Sequence, residues 1–382
     1  MQIKRMISTI DTHTAGEPTR IVTAGIPHIH GRTMMEKKRW LQNNDGVRRM
    51  VMLEPRGHKD MFGAIITDPV SEEADIGVIF MDAKGYLDMC GHGSIGSVTM
   101  LLNTGMIPIK QLNQVDSENS DEKNSAGQNR ANNNSICQKV VIDTPAGKVT
   151  AHATIENGVV TEVKICNVPA FYYDSVVVDL PEIGKVNVNI SYGGNFFGLV
   201  NSRDLNIDVD VANLRQLTEL GMQIRDRVNE LIIVVHPVTG EKNEVGLTEI
   251  YQDVLTDKAF NRDSCVDGFY KNLSSENHNE TLYNSKNVVV FGNGQIDRSP
   301  CGTGTCAKMA YLYEKGKLAI DEPYVNASII NTLFTGKIIG ETKVGNRKAI
   351  LPEITGRAHI TGFHNFIADD DDPFKEGFAL CR

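Results

Sequence analysis

The sequence predicts a sheet-rich α/β (α+β) protein made of two homologous domains. Three observations carry that expectation: frequent short runs of alternating and β-branched residues, one long amphipathic stretch, and one segment that occurs twice. The length of 382 residues agrees, since a domain takes roughly 150 residues. Hydrophobic residues make up 41% of the chain and charged residues 23%. Such a chain can bury a sizeable core, which excludes global disorder and collagen-like repeats.

The strands come first. Val140–Ile142, Val159–Ile165, Val186–Ile190 and Val288–Phe291 are β-branched or alternating runs with turn residues between them. From Val211 to Glu230 the spacing is helical, with Leu214, Leu217, Leu220, Ile224 and Val228 on one broad face. That stretch predicts an amphipathic helix lying on a sheet.

Two segments depart from this pattern. Residues 113–135 hold seven Asn and four Ser, and Val115 is their only large aliphatic residue. Too little apolar surface is present to offset ordering entropy, so the segment is expected to be a disordered insertion. Residues 261–287 are again rich in Asn, Ser and charge and are expected to be a second polar insertion. The acidic run Asp369–Asp372 is expected to be a solvated turn, with a metal site as the alternative.

Charge and cysteine usage bound the function. Lys plus Arg number 39 against 48 Asp plus Glu, for a net charge of −9. A general nucleic-acid binder would need basic patches, so none is expected as a partner. No apolar run approaches the ~20 residues that span a bilayer, and the N-terminus lacks the pattern of a secretory signal. The seven cysteines are odd in number and sparse, which fits free thiols in a reducing cytoplasm better than a disulfide framework.

The repeated segment is the most informative feature. Met89-Cys90-Gly91-His92-Gly93-Ser94 matches Pro300-Cys301-Gly302-Thr303-Gly304-Thr305: Cys-Gly-x-Gly and then a hydroxyl residue. Each copy runs into an apolar helical stretch, and each meets a glycine fifteen residues after its cysteine, Gly105 and Gly316, where a helix C-terminal cap would sit. Two domains are expected, each with a cysteine at the N-terminal mouth of a helix. The unpaired N–H groups of a first turn, with the macrodipole, make an anion site. A carboxylate is therefore expected near Gly91, His92, Gly302 and Thr303. The same field is expected to lower the thiol pKa from ~8.5. Two such cysteines facing one cleft suggest a two-base 1,1-proton transfer: a thiolate takes a proton from carbon on one face and a thiol returns one on the other.

Other readings are weighed beside this one. Buried structural thiols are common. Metal binding lacks a CxxC or HxxxH spacing, and a phosphate loop lacks the Walker lysine. Cys137, Cys265 and Cys381 look incidental, and Cys306 reads as helix packing. Asp297 either closes a surface turn or holds an ammonium or secondary amine beside Cys301.

These segments resemble the two signatures of the proline racemase family, which includes proline racemases, 4-hydroxyproline 2-epimerases and trans-3-hydroxyproline dehydratases. Ile10–Pro18, Glu54–His58, Gly193–Phe197 and Ile360–Phe363 extend the resemblance over nearly the whole chain. It implies a diaminopimelate-epimerase-like fold of two pseudo-symmetric domains, each a curled sheet or barrel around a central helix. The expected division is 1–185 with 350–382, and 186–349. It implies Cys90 and Cys301 as the acid/base thiols, and Gly91, His92, Gly302 and Thr303 around the substrate carboxylate. Asp297 and His92 are then placed to contact the ring nitrogen or steer the thiols' protons. Both cysteines are kept, which favours inversion over elimination. Phe62 and Phe291 match the aromatic pair of proline-specific members, favouring proline over 4-hydroxyproline. The resemblance further implies an isomerase without cofactor, a small-molecule substrate and a homodimer. Cys306 departs from the serine that is common in the family.

Overall fold

The strands and helices repeat as one pairing pattern, used twice. The structure is a computed structural model that describes residues 3–110, 135–253 and 283–380. Most of both polar insertions, 113–134 and 261–282, with Cys265 and Cys381, lies outside the described residues.

The first copy contains β1 (Ile3–Thr14), β2 (Glu17–Ala24), α1 (Met34–Asn43), α2 (Gly46–Met52), β3 (Phe62–Thr67), β4 (Ile76–Asp82) and β5 (Tyr86–Leu87). It continues through α3 (Gly91–Asn103), β6 (Ser135–Thr144), β7 (Gly147–Glu156) and β8 (Val159–Cys166). The second has β9 (Phe171–Leu180), β10 (Gly184–Tyr192), β11 (Phe196–Asn201), α4 (Leu214–Leu231), β12 (Val234–Val235), β13 (Lys242–Asn243) and β14 (Leu247–Asp253). There follow β15 (Ser285–Phe291), β16 (Gln295–Ile296), α5 (Gly302–Glu314), β17 (Pro323–Ala327), β18 (Leu333–Val344) and β19 (Arg347–Gly356), and β20 (Ala358–Asp369) returns to the first copy.

In the first copy β2 runs parallel to β3, β3 antiparallel to β4, and β4 parallel to β6 across α3. In the second β11 runs parallel to β14, β14 antiparallel to β15, and β15 parallel to β17 across α5. The antiparallel runs β6–β7–β8 and β17–β18–β19 then match, and β8 pairs with β19. After β8 the chain crosses to pair β9 with β10; after β19 it crosses back to pair β20 with β1. The two copies thus exchange their last strands. Eighteen strands form one curled, continuous sheet, and β12–β13 is a separate ribbon. The expected curled sheets around helices are present; a closed barrel is not found among the described residues.

Each repeat helix is swallowed by its sheet. Every residue of α3 from Gly91 to Leu102 is buried, the polar His92, Ser94, Ser97 and Thr99 included. Ile95, Val98, Met100, Leu101 and Leu102 are each at most 1% exposed, and each such side chain contributes ~1.5–3 kcal/mol. Both helices end at the expected glycines, with φ of 73° at Gly105 and 65° at Gly316. At the second, Lys317 N–H donates to Leu312 O and Gly316 N–H to Tyr313 O, a left-handed cap that only glycine adopts without strain. The amphipathic stretch forms α4 and buries Leu217, Leu220, Ile224 and Val228. The four strand runs lie in β6, β8, β10 and β15.

Two local readings differ from expectation. Ser285, Lys286 and Asn287, taken as the end of the second insertion, open β15, and Asn287 is fully buried. Tertiary pairing with β14 overrides their polar composition. Helices α1 and α2 had no expectation, although Thr33 and Glu36 give α1 a capping signal: Thr33 Oγ1 accepts from Glu36 N–H at 3.1 Å. In the acidic run, Asp369 ends β20, Asp370 meets Lys4 and Lys375, and Asp372 meets Arg56. No cluster of metal-ligating side chains occurs among the described residues, and no helix there is long and apolar enough to cross a membrane.

Candidate active site

The repeat brings the two helix mouths into contact. A Cβ on Gly91 would lie 2.7 Å from Gly302 Cα, and a Cβ on Gly302 would lie 2.7 Å from Gly91 Cα. Only glycine allows so close an approach of two backbones. Around this contact lies a small chamber lined by Phe62, Cys90, Gly91, His92, Phe291, Asp297, Cys301, Gly302 and Thr303. All nine residues expected at the site are therefore brought together. The free space is about 20 Å³, room for about one water. Through Leu87, Asn195, Leu247 and Phe291 the chamber adjoins an open cleft of about 390 Å³.

The loop 193–195 locks both mouths in place. A Cβ on Gly193 would lie 2.2 Å from Thr303 O, and one on Gly194 would lie 2.8 Å from Met89 Cβ. Asn195 Nδ2 donates to Met89 O at 2.8 Å, just before Cys90. Asn287 Nδ2 donates to Pro300 O at 2.9 Å, just before Cys301. Each cysteine thus follows a carbonyl clamped by an asparagine.

The two thiols are held differently. Cys90 has extended backbone, and its Sγ accepts from Gly93 N–H at 3.2 Å. His92 Nδ1 lies 3.3 Å from the same sulfur. Cys301 has φ of +61°, a strained conformation for a residue with a Cβ, costing ~1–3 kcal/mol and typical of functional positions. Its Sγ lies 3.8 Å from Thr303 Oγ1. Asp297 Oδ1 accepts from Ser299 N–H at 2.8 Å and Ser299 Oγ–H at 2.7 Å, and Cys301 N–H donates to Ser299 Oγ at 3.1 Å. Asp297 is 4% exposed, so the surface-turn alternative is excluded.

Electrostatics correct one expectation. Burial pushes both thiols up, Cys90 and Cys301 alike, and the carboxyl of Asp297 adds to it. The helix-mouth N–H groups act in the expected direction at Gly93 and Gly304 but do not prevail. Desolvation of an anion outweighs one or two hydrogen bonds in a closed chamber. Burial likewise brings His92 down to about 3, so its imidazole is neutral. Burial first, and then their mutual repulsion, raises Glu17, while burial also raises Asp297.

Phe62 and Phe291 wall the chamber with ring centroids 5.9 Å apart, and the Phe62 ring meets the His92 ring edge-on at 4.6 Å. Several buried polar residues close to the site carried no assigned role in the sequence. Glu17 accepts from Arg298 N–H at 2.6 Å, and Glu249 lies beneath Gly304. Asn195 stood in a recognised segment, and Asn287 stood in a presumed insertion. Cys306 is fully buried, as helix packing requires.

Fold and site together define a protein in which two thiols, each at the mouth of a core helix, share one apolar chamber. The chain belongs to the proline racemase family: the model of that family, described as proline racemase, matches residues 9–120, 130–268 and 269–379. A proline racemase of Clostridioides difficile is 44% identical over 382 residues, covering all of both chains. Proline racemase A of Trypanosoma cruzi is 43% identical over 400 residues, covering all of this chain and 83% of that one. Among solved structures, a hydroxyproline epimerase of Agrobacterium vitis with bound trans-4-hydroxy-L-proline is 27% identical, with a TM-score of 0.82 over 100% of this chain and 97% of that one.

Proposed function

We propose that the protein interconverts L- and D-proline by a two-thiol proton transfer. The observation that carries this reading is the pair Cys90 and Cys301 lining one chamber between touching helix mouths. Either thiol, once ionised, removes the Cα proton; the other, still protonated, delivers its proton to the opposite face, and the stereocentre inverts. The N–H groups of the two mouths hold the carboxylate and stabilise the charge that builds on it as the Cα proton leaves. Two thiols suffice to move one proton, so the reading includes no cofactor. It also includes a homodimer in the cytoplasm, where the thiols stay reduced.

Proline enters from the adjoining cleft as the chamber's other walls give way around the glycine contact, since the closed chamber holds about one water. Closure then excludes water from the carbanion. The family's two-unit organisation belongs to this reading. Its expected units, 1–185 with 350–382 and 186–349, are kept in this reading, and the crossings that follow β8 and β19 support a division of that kind.

The relatives include both a proline racemase and a hydroxyproline epimerase, and the two phenyl walls favour proline. A 4-hydroxyl between Phe62 and Phe291 would lose hydrogen bonds to water at a cost of ~1–3 kcal/mol. The test is incubation of the reduced protein with L-proline in D₂O, following optical rotation and Cα deuteration together. D-Proline should form with deuterium at Cα, and trans-4-hydroxy-L-proline should react roughly 10- to 100-fold more slowly. Reaction of the hydroxylated substrate alone would transfer the reading to the epimerase, and inertness of both would end it.

The raised thiols set the pH dependence. Catalysis needs one thiol ionised and one protonated, and burial raises both above their ordinary value. The anionic form becomes more populated as pH rises, so kcat/KM for L-proline should climb through pH ~7 to ~9. It should fall only where both thiols ionise. A profile that is flat or declines over this range contradicts the two-thiol reading.

A further inference from the structure

The pseudo-symmetry of the site is broken beneath the cysteines. In both repeats the glycine three residues after the cysteine leaves its Cβ space to the thiol and to one side chain from the sheet. At Gly93 that space lies 3.0 Å from Cys90 Sγ and 3.0 Å from Phe80 Cδ1. At Gly304 it lies 3.2 Å from Cys301 Sγ and 2.9 Å from Glu249 Oε2. A phenyl ring underlies one thiol and a carboxyl group underlies the other.

Glu249 is fully buried on β14. Its Oε1 accepts from Asn287 Nδ2 at 2.9 Å, the same amide that clamps Pro300 O. Its Oε2, the atom beside the Cβ space of Gly304, has no hydrogen-bond partner among the described residues. An unpartnered buried oxygen is costly and calls for an explanation. One turn further along α5, the buried Lys308 Nζ lies over the Tyr251 ring and 3.4 Å from Asp253 Oδ1.

We propose that Glu249 is a positioning residue that sets the proton affinity of Cys301 alone, with no counterpart at the equivalent place beneath Cys90. This rests on the two-thiol reading above. As a neutral acid, Glu249 puts no charge beneath the Cys301 thiolate that forms when the thiol delivers its proton. As a carboxylate, it repels that thiolate and keeps Cys301 protonated. Burial lifts Glu249 to about 7, so both of its forms are accessible at neutral pH.

The groups that face this pair are few. Asp297, in the loop before α5, raises Cys301, and Thr303 lowers it. Lys308 of α5 lowers Glu249, whereas Asp253 of β14 and Asp297 raise it. Tyr324 of β17 also feels its charge. Cys90 is instead faced by Asp297 and Glu17.

The test is Glu249→Gln, which keeps the shape and the Asn287 contact but cannot ionise. It is made in Cys90→Ser and in Cys301→Ser backgrounds, and thiolate absorbance is titrated in each. In the first, the midpoint of Cys301 should fall by about 1 pH unit. In the second, the midpoint of Cys90 should stay. An unmoved Cys301, or equal movement of both thiols, overturns the proposal. Should Glu249→Gln fold poorly by circular dichroism, Glu249→Asp withdraws the carboxyl by one methylene and should move the same midpoint by less. The titration needs no turnover. A shifted midpoint in a protein inert to proline would leave this pairing standing and remove the racemase reading.

Discussion

Replacing Cys90 or Cys301 by serine is expected to lower D-proline formation from L-proline by about a thousandfold or more. General acid–base groups contribute roughly 10²–10⁴, and a hydroxyl at either mouth neither ionises at neutral pH nor donates as readily as a thiol. Both cysteines are about 95% buried against the same chamber, so no bulk water substitutes for the missing group. The double variant should be hardly worse than either single one, because inversion needs both protons handled in one passage and losses from a unit do not add. The two singles differ from a general loss of folding in one respect. The remaining thiol can still exchange the Cα proton on its own face, so slow deuteration without inversion should persist, each variant with the opposite enantiomer. Chirality and mass measured on the same sample check this. Substantial D-proline from either variant would exclude a two-thiol mechanism.

A second large effect is expected from Gly302→Ala or Gly91→Ala. Neither glycine has positive φ, so backbone preference alone would tolerate alanine. The added methyl meets backbone in each case, Gly91 Cα at 2.7 Å or Gly302 Cα at 2.7 Å, together with Ile354 Cδ1. A backbone cannot rotate away as a side chain does. The two mouths must separate, at ~1–3 kcal/mol of overpacking and about a hundredfold in rate for a misplacement of ~1 Å. Because both substitutions open the same contact, the double variant should cost clearly less than the two singles together. Thermal unfolding and kcat/KM measured on the three variants decide it. Alanine variants of full activity would show that the mouths have no need to touch.

Much of this site was legible in the chain because its signals are local. Cys-Gly-x-Gly and a glycine fifteen residues on identify a helix start and stop within one short segment, and its duplication identifies two of them. The periodicity of Leu217, Leu220, Ile224 and Val228 identified the face that α4 buries. Phe62 and Phe291, marked by resemblance, indeed wall the chamber.

Tertiary structure decided what depends on residues far apart in sequence. Asn287 reads as part of a polar insertion, yet pairing with β14 buries it to clamp Pro300. Glu17 meets the backbone of Arg298 from the other end of the chain. Glu249 lies in a plain strand run and gains meaning only where α5 crosses it. The direction in which the thiols titrate is of the same kind. A helix mouth seen in sequence predicts a lowered pKa, but the fold packed around Cys90 and Cys301 desolvates them and reverses the sign. A pattern of residues determines which groups begin a helix; how much water they lose is set by everything the fold packs around them.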